Sequence, residues 1–139
     1  DPFSKDLPKY INLQKKWPDS ISICDFLVFA CALNKNNQYM FNEKIINMTK
    51  QGIRVVNVSR GPLINEEDLL NGLRSGQIKS VALDVFEREP LQSDHEIFNH
   101  PKCILGSHNA SNTIDAVRRA SIEAIKLLNN MLNDKLRHG

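Results

Sequence analysis

Four apolar runs, separated by helix-like segments, constrain the fold of this chain more than any other feature. They cover residues 23–33, 53–58, 80–86 and 103–106. The first run lacks the alternation of a half-exposed strand, so we predict a strand that is covered on both faces. The second run also predicts a buried strand, and the last two predict further strands. Such strands are typical of parallel sheets whose crossover connections are helices.

Helical patterns lie between and after these runs. Residues 42–50 predict a short helix that Gly52 ends. Asn65 is a predicted N-cap, because three acidic residues follow it, and that helix stops at Gly76. A last helix opens at Thr113, and we expect it to bury an apolar stripe of Val117, Ala120, Ala124, Ile125, Leu128, Met131 and Leu132. Strands alternating with helices predict an α/β fold with a doubly wound parallel sheet, in one domain over residues 1–139.

Composition and charge exclude several classes of function. The formal net charge of +2 is too small to indicate a nucleic-acid partner. No apolar run approaches the roughly 20 residues that a membrane helix needs. No basic and then apolar leader is visible, so we expect a cytoplasmic protein. The three cysteines, at positions 24, 31 and 103, lack a metal-binding spacing; we therefore predict buried free thiols and no metal site.

Charged side chains stand where three of the apolar runs end. Arg60 follows the second run, Asp84 ends the apolar stretch of the third, and His108 follows the fourth. In an open parallel sheet the carboxyl ends of the strands meet at one edge, where ligands bind. The sequence therefore predicts that these three side chains share one rim of the sheet.

These residue types suit different parts of one reaction. An arginine grips a carboxylate with two parallel hydrogen bonds and stays charged at any working pH. A histidine exchanges protons near neutrality, and a neighbouring carboxylate favours its protonated form. Glu87 and Glu89 both follow Asp84 and are equal candidates for that carboxylate on the residues alone. The rim could thus hold an acid substrate and move a proton.

Four motifs carry a resemblance to a known family. They are Asp-Pro-Phe at 1–3, Asn-Val-Ser-Arg-Gly-Pro-Leu at 57–63, Ala-Leu-Asp-Val-Phe-Glu-Arg-Glu-Pro at 82–90 and Ser-His-Asn-Ala-Ser at 107–111. In this order they resemble the NAD-binding domain of the D-isomer-specific 2-hydroxyacid dehydrogenases. The resemblance implies a Rossmann-like sheet, a homodimer, and hydride transfer between NAD and C2 of a small 2-hydroxy or 2-keto acid.

The resemblance also implies roles for individual residues. Arg60 would hold the substrate carboxylate, and His108 would serve as the acid and base. Glu89, rather than Glu87, would orient and charge that histidine. Asp84 would contact the nicotinamide amide. The further cofactor contacts that the resemblance implies are Asp1, Pro2, Cys31, Val58, Ser59 and His108.

The cofactor site is where this chain departs from the family pattern. An acidic Asp1 at the adenosine ribose would favour NAD over NADP. However, the six glycines, at 52, 61, 72, 76, 106 and 139, contain no Gly-x-Gly-x-x-Gly phosphate loop. We therefore expect a truncated domain whose sheet is incomplete at its N-terminal side and which lacks a substrate domain. We expect the isolated chain to bind NAD weakly or not at all and to be inactive.

Two other functions compete with a dehydrogenase. The first is an NAD-responsive regulatory module of the corepressor kind, which shares the fold; the near-neutral charge argues against it. The second is an inert remnant that only dimerises. The missing phosphate loop supports the second for the isolated chain, and an unpaired apolar strand at residues 23–33 would promote self-association.

Overall fold

A computed structural model describes residues 8–12 and 16–137 of the chain. The chain divides into two units, the first ending at Ser107 and the second beginning at His108. The first unit contains a sheet and two α-helices, and the second contains one long α-helix.

The sheet of the first unit has four parallel strands. They are β1 (Phe26–Phe29), β2 (Ile53–Asn57), β3 (Ile78–Leu83) and β4 (Cys103–Leu105), and they lie in the order β1-β2-β3-β4. Helix α1 (Glu43–Met48) connects the first two strands, and α2 (Glu66–Ser75) connects the next two. The predicted α/β class with a parallel, Rossmann-like sheet is thereby confirmed. Short 3₁₀ helices cover Ile21–Ile23, Gly61–Leu63 and Glu96–Asn99.

Both helices of the first unit begin at an asparagine cap. The Asn42 side chain accepts from the backbone N–H of Ile45 at 3.3 Å, and the Asn65 side chain accepts from that of Asp68 at 3.0 Å. Gly76 ends α2 with a φ of +81°, a left-handed conformation that glycine adopts without strain. The predicted start and end of this helix are therefore confirmed.

The core lies between the two helices and one face of the sheet. Val55, Val81 and Leu83 point into it and are buried. Gly72 of α2 brings the helix close to β3, because a methyl group there would lie 2.7 Å from Ile78 Cδ1. The helices and this face of the sheet thus form a two-layer core.

The opposite face of the sheet corrects the prediction for residues 23–33. The strand is only Phe26–Phe29, and Phe26 and Val28 are 60% and 57% exposed. Ile104 of β4, on the same face, is 74% exposed. Burial alternates along β1 because, within the first unit, helices cover one face of the sheet only. We call Phe26, Val28 and Ile104 the open face.

The cysteines are free but less buried than predicted. Cys31 is exposed, whereas Cys24 and Cys103 are half-buried. Burial raises the pKa of the Cys103 thiol to about 11, so that thiol stays protonated at neutral pH.

The second unit contains the helix α3 (Ile114–Arg137). Its start agrees with the prediction, but its apolar stripe is exposed, including Val117, Leu128 and Met131. Among the described residues of that unit, no other element covers the stripe. Among the described residues, no helix is long and apolar enough to cross a membrane.

Candidate active site

The carboxyl ends of all four strands are joined at one edge of the first unit. The N–H of Val58 donates to Phe29 O at 3.3 Å, which links the ends of β1 and β2. The Ser59 hydroxyl donates to the Cys31 carbonyl across the same boundary. Asp84 N–H donates to Asn57 O at 3.0 Å, and Gly106 N–H donates to Leu83 O at 2.7 Å. Arg60 and Asp84, predicted to share a rim, therefore follow neighbouring strands at this edge.

Asn57 organises the turn that carries Arg60. Its side chain is 1% exposed, accepts from Ser59 N–H at 3.1 Å and donates to Arg60 O at 2.9 Å. The Arg60 side chain is exposed, and one of its guanidinium nitrogens donates to Ser59 O at 2.6 Å. The buried amide thus fixes the backbone while the guanidinium points outward. Sequence reasoning missed Asn57, although an asparagine at a strand end is a known turn former.

Asp84 follows the end of β3 and is half-buried. Gly106 lies directly against it, because a methyl group at position 106 would overlap the Asp84 carboxylate oxygen and lie 3.1 Å from its Cα. The glycine thus leaves room for the Asp84 side chain at the rim. It also brings the segment that leads into His108 to this edge.

The two glutamates that the sequence left equivalent have different surroundings. The Glu87 carboxylate accepts from the Tyr39 hydroxyl at 2.6 Å and from the backbone N–H of Glu66 at 3.4 Å. Glu89 is exposed, and one of its oxygens accepts from Phe86 N–H at 3.0 Å. Glu87 is therefore engaged inside the fold, whereas Glu89 presents its carboxylate at the surface of the segment.

Gly61 brings the arginine turn against the segment that carries the two glutamates. A methyl group at Gly61 would overlap the backbone carbonyl of Phe86, so only glycine allows this approach. Arg60 precedes the contact by one residue, and Glu89 is tied to Phe86 by the hydrogen bond described above. The two segments are thereby held in one fixed arrangement.

A buried carboxylate lies behind this contact. Glu66, the first residue of α2, is 9% exposed, and its Oε1 accepts from Glu87 N–H at 2.5 Å. Its Oε2 lies 3.6 Å from His95 Nε2. Burial raises the pKa of Glu66; the hydrogen bond from the Glu87 backbone N–H and the nearby His95 oppose the rise, and the carboxylates of Glu87 and Glu89 add to it. No sequence pattern marks Glu66 as functional, because acidic residues in a first helical turn are ordinary.

The remaining predicted residues fall into three groups. Cys31 and Val58 are exposed at the rim, beside half-buried Ser59. His108 is exposed, begins the second unit and has a φ of +58°. Its pairing with Glu89 stays a prediction. The predicted cofactor residues Asp1 and Pro2 lie outside the described residues.

Comparison with known proteins gives the family. Residues 4–110 match the family model described as "D-isomer specific 2-hydroxyacid dehydrogenase, NAD binding domain". The chain is 35% identical over 117 residues to D-3-phosphoglycerate dehydrogenase 3, chloroplastic, of Arabidopsis thaliana, with 84% of this chain and 20% of that protein covered.

Solved structures agree with this result. Phosphoglycerate dehydrogenase from Lactobacillus plantarum superposes with a TM-score of 0.65 at 30% identity, covering 69% of this chain and 31% of that one. The NADPH-dependent glyoxylate/hydroxypyruvate reductase of Sinorhizobium meliloti, in complex with NADP and sulfate, gives a TM-score of 0.74 at 25% identity, covering 82% and 37%. The chain thus spans between a fifth and two fifths of these relatives. By its sequence and its fold, the chain belongs to the D-isomer-specific 2-hydroxyacid dehydrogenases, and its residues 4–110 match the NAD-binding domain of that family.

Proposed function

We propose that this chain supplies the substrate-binding arginine and the acid/base pair of a dehydrogenase that acts on a small 2-hydroxy or 2-keto acid. The observation that carries the proposal is the rim, where an exposed arginine is fixed beside the segment of an exposed glutamate through the contact of Gly61 with Phe86. Family membership makes hydride transfer the reaction that such a rim would serve.

Arg60 would bind the substrate carboxylate. Its backbone is held by the buried Asn57 amide, so the guanidinium starts from a fixed turn. A planar guanidinium forms two parallel hydrogen bonds with a carboxylate, and this sets the orientation of C2 as well as its affinity. Neutral analogues of the substrate should therefore bind poorly.

His108 and Glu89 would handle the proton. In reduction, the imidazolium donates a proton to the carbonyl oxygen at C2; in oxidation, the neutral imidazole removes the hydroxyl proton. A carboxylate on the far side of the ring favours the charged form and fixes its orientation. The internal contacts of Glu87 with Tyr39 and Glu66 favour Glu89 for this role.

The rim fits a nicotinamide cofactor. Val58 offers an apolar surface that is 44% exposed, and the Asp84 carboxylate beside it could accept from a carboxamide. Gly106 keeps the space over Asp84 clear of a side chain. When bound, the nicotinamide accepts or donates the hydride at C2. NAD is our proposed cofactor, and the NADP complex of the Sinorhizobium relative makes NADPH the comparison to test.

Turnover by the natural protein that carries these residues tests the proposal. The protein is mixed with NADH or NADPH and with glyoxylate, hydroxypyruvate or pyruvate, and absorbance is followed. We expect turnover that His108→Ala lowers about 10²–10⁴-fold, the usual effect of removing a general acid. His100→Ala is the matched control, because the His100 side chain accepts from the backbone N–H of Lys102 at 3.3 Å and has no proposed role in the reaction. Tight NADH binding with no turnover on any of the three acids would favour the regulatory alternative.

The isolated chain is a separate case. We propose that residues 1–139 alone bind NADH weakly and do not turn over, because the sequence has no glycine-rich loop to hold the pyrophosphate. Calorimetry with NADH tests this, and submicromolar binding would contradict it. The homodimer also stays a prediction, which sedimentation of the chain measures.

A further inference from the structure

We propose that Glu66 is a positioning residue for the active-site glutamate, and this rests on the proposed role of Glu89. Glu66 and Glu87 exchange hydrogen bonds: Glu66 Oε1 accepts from Glu87 N–H at 2.5 Å, and Glu87 Oε2 accepts from Glu66 N–H at 3.4 Å. Two residues that are 21 positions apart are thus connected in both directions. The start of α2 is thereby fixed to the segment that contains Glu89.

The position of the Glu89 carboxylate follows from this connection. One Glu89 oxygen accepts a hydrogen bond from Phe86 N–H at 3.0 Å. The next backbone N–H along the chain, that of Glu87, donates to the Glu66 carboxylate. The Tyr39 hydroxyl holds the Glu87 side chain from the other side at 2.6 Å. A displacement of Glu66 would therefore release the backbone on which the Glu89 side chain is anchored.

The burial of Glu66 supports a positioning role for its hydrogen bonds with Glu87. The Glu66 side chain is 12% exposed, so its carboxylate loses most of its hydration, which is costly unless specific partners replace the water. The charged or titratable groups that face it are His95, Glu87 and Glu89. Two of the three are carboxylates, so charge pairing alone does not account for the position. The hydrogen bond that Glu66 accepts from the Glu87 backbone N–H does account for the position of Glu66.

Two substitutions distinguish the effect of the length of the Glu66 side chain from the effect of its charge. Glu66→Gln keeps an oxygen at the same distance from Glu87 N–H but has no charge. Glu66→Asp keeps the charge but is one methylene shorter, so it cannot reach the amide without a shift. The matched control is Arg74→Ala, which removes the exposed ion pair of Arg74 with Glu96 and leaves residues 86–90 unchanged. This ion pair joins α2 to the 3₁₀ helix Glu96–Asn99, which begins directly after His95.

The measurements are kcat and KM for the keto acid in the natural protein, together with hydrogen exchange at the Glu87 amide. A misplaced catalytic group lowers kcat by about 10–100-fold, and we expect this for Glu66→Asp with KM within about twofold, because Arg60 holds the substrate independently. Glu66→Gln and Arg74→Ala should keep kcat within about threefold of the wild type, a difference below 1 kcal/mol. The Glu87 amide should exchange faster in Glu66→Asp alone.

Three results would overturn the inference. The first is wild-type kcat in Glu66→Asp, and the second is a loss in Glu66→Gln as large as in Glu66→Asp, which would mean that the charge is what matters. The third is lowered kcat with unchanged exchange at the Glu87 amide. A wild-type protein that reduces none of the keto acids would instead refute the proposed function itself, and this inference with it.

Discussion

Around Gly61, four segments of the chain contact one another through hydrogen bonds and close packing; they contain Tyr39, residues 57–61, Glu66 and residues 86–89. On the open face, by contrast, Phe26, Val28 and Ile104 are exposed to solvent. The first region is polar and its groups have partners: the Asn57 amide, the Glu66 carboxylate and the Glu87 carboxylate each make two polar contacts. The second is apolar and largely exposed among the described residues of its unit, with the Arg54 guanidinium 5.1 Å from the centre of the Phe26 ring. The rim can therefore hold its geometry through its own contacts, while the open face contributes little to the fold of this unit.

Among substitutions at the rim, the largest effect should come from Gly61→Ala. The added methyl group would overlap the Phe86 carbonyl, so the two segments must separate, and we expect a loss of about 3 kcal/mol in the free energy of unfolding. Gly52→Ala is the control: it has a φ of +80° but open space around it, so backbone strain of about 1–2 kcal/mol is its whole cost. Urea unfolding measures both. Equal losses would mean that the contact of Gly61 with Phe86 does not hold the rim.

A smaller effect is expected for Asn57→Ala. Ser59 N–H and Arg60 O each lose a part-buried hydrogen bond, and at about 0.5–1.5 kcal/mol apiece the two losses cost about 1–3 kcal/mol of stability. Because the Arg60 turn is then free to shift, KM for the keto acid should also rise. Asn71→Ala, on the exposed side of α2, should stay within about 0.5 kcal/mol of the wild type and leave KM unchanged. Unchanged KM in Asn57→Ala would show that the buried amide is not what positions Arg60.

Glu66 should make stability depend on pH. Burial raises its pKa in the folded state above the value in the unfolded chain, so the folded state binds the proton more tightly. Stability is therefore lost as the pH rises from the unfolded-state pKa through the raised folded-state pKa. Glu66→Gln lacks this loss, so its stability relative to the wild type should improve as the pH rises above the ordinary pKa of a glutamate. Parallel stability curves for the two proteins would contradict this.

The smallest effect should come from the open face. Val28→Thr and Ile104→Thr place a hydroxyl in solvent, and we expect changes within about 0.5 kcal/mol. Leu69→Ala, in the core beneath the other face, should by contrast cost about 2–5 kcal/mol. Losses above 1 kcal/mol at Val28 or Ile104 would mean that this face is covered in solution.

The sequence predicted most of the elements for identifiable reasons. The asparagine caps and Gly76 set the ends of α2 through local backbone chemistry, which is readable without tertiary information. The prediction of a strand over residues 23–33 that is covered on both faces was wrong in length and in burial. A continuous apolar run does not reveal whether helices cover the second face of the sheet. The burial expected for the α3 stripe was wrong within its unit for the same reason.

The candidate site was readable only in part. Arg60, Asp84 and His108 stood out because each follows an apolar run, and strand ends gather at one edge. Choosing between Glu87 and Glu89 required the contacts of Glu87 with Tyr39, 48 residues away, and with Glu66. Contacts between such distant residues leave no local pattern in a single sequence.

A double-mutant cycle between Glu89 and His108 tests the central claim most directly. We measure kcat for keto-acid reduction in the wild type, Glu89→Gln, His108→Ala and the double variant. If the two act as one acid/base unit, each single change lowers kcat by about 10²-fold or more, and the double variant is little worse than His108→Ala. Effects that multiply independently in the double variant would contradict the account.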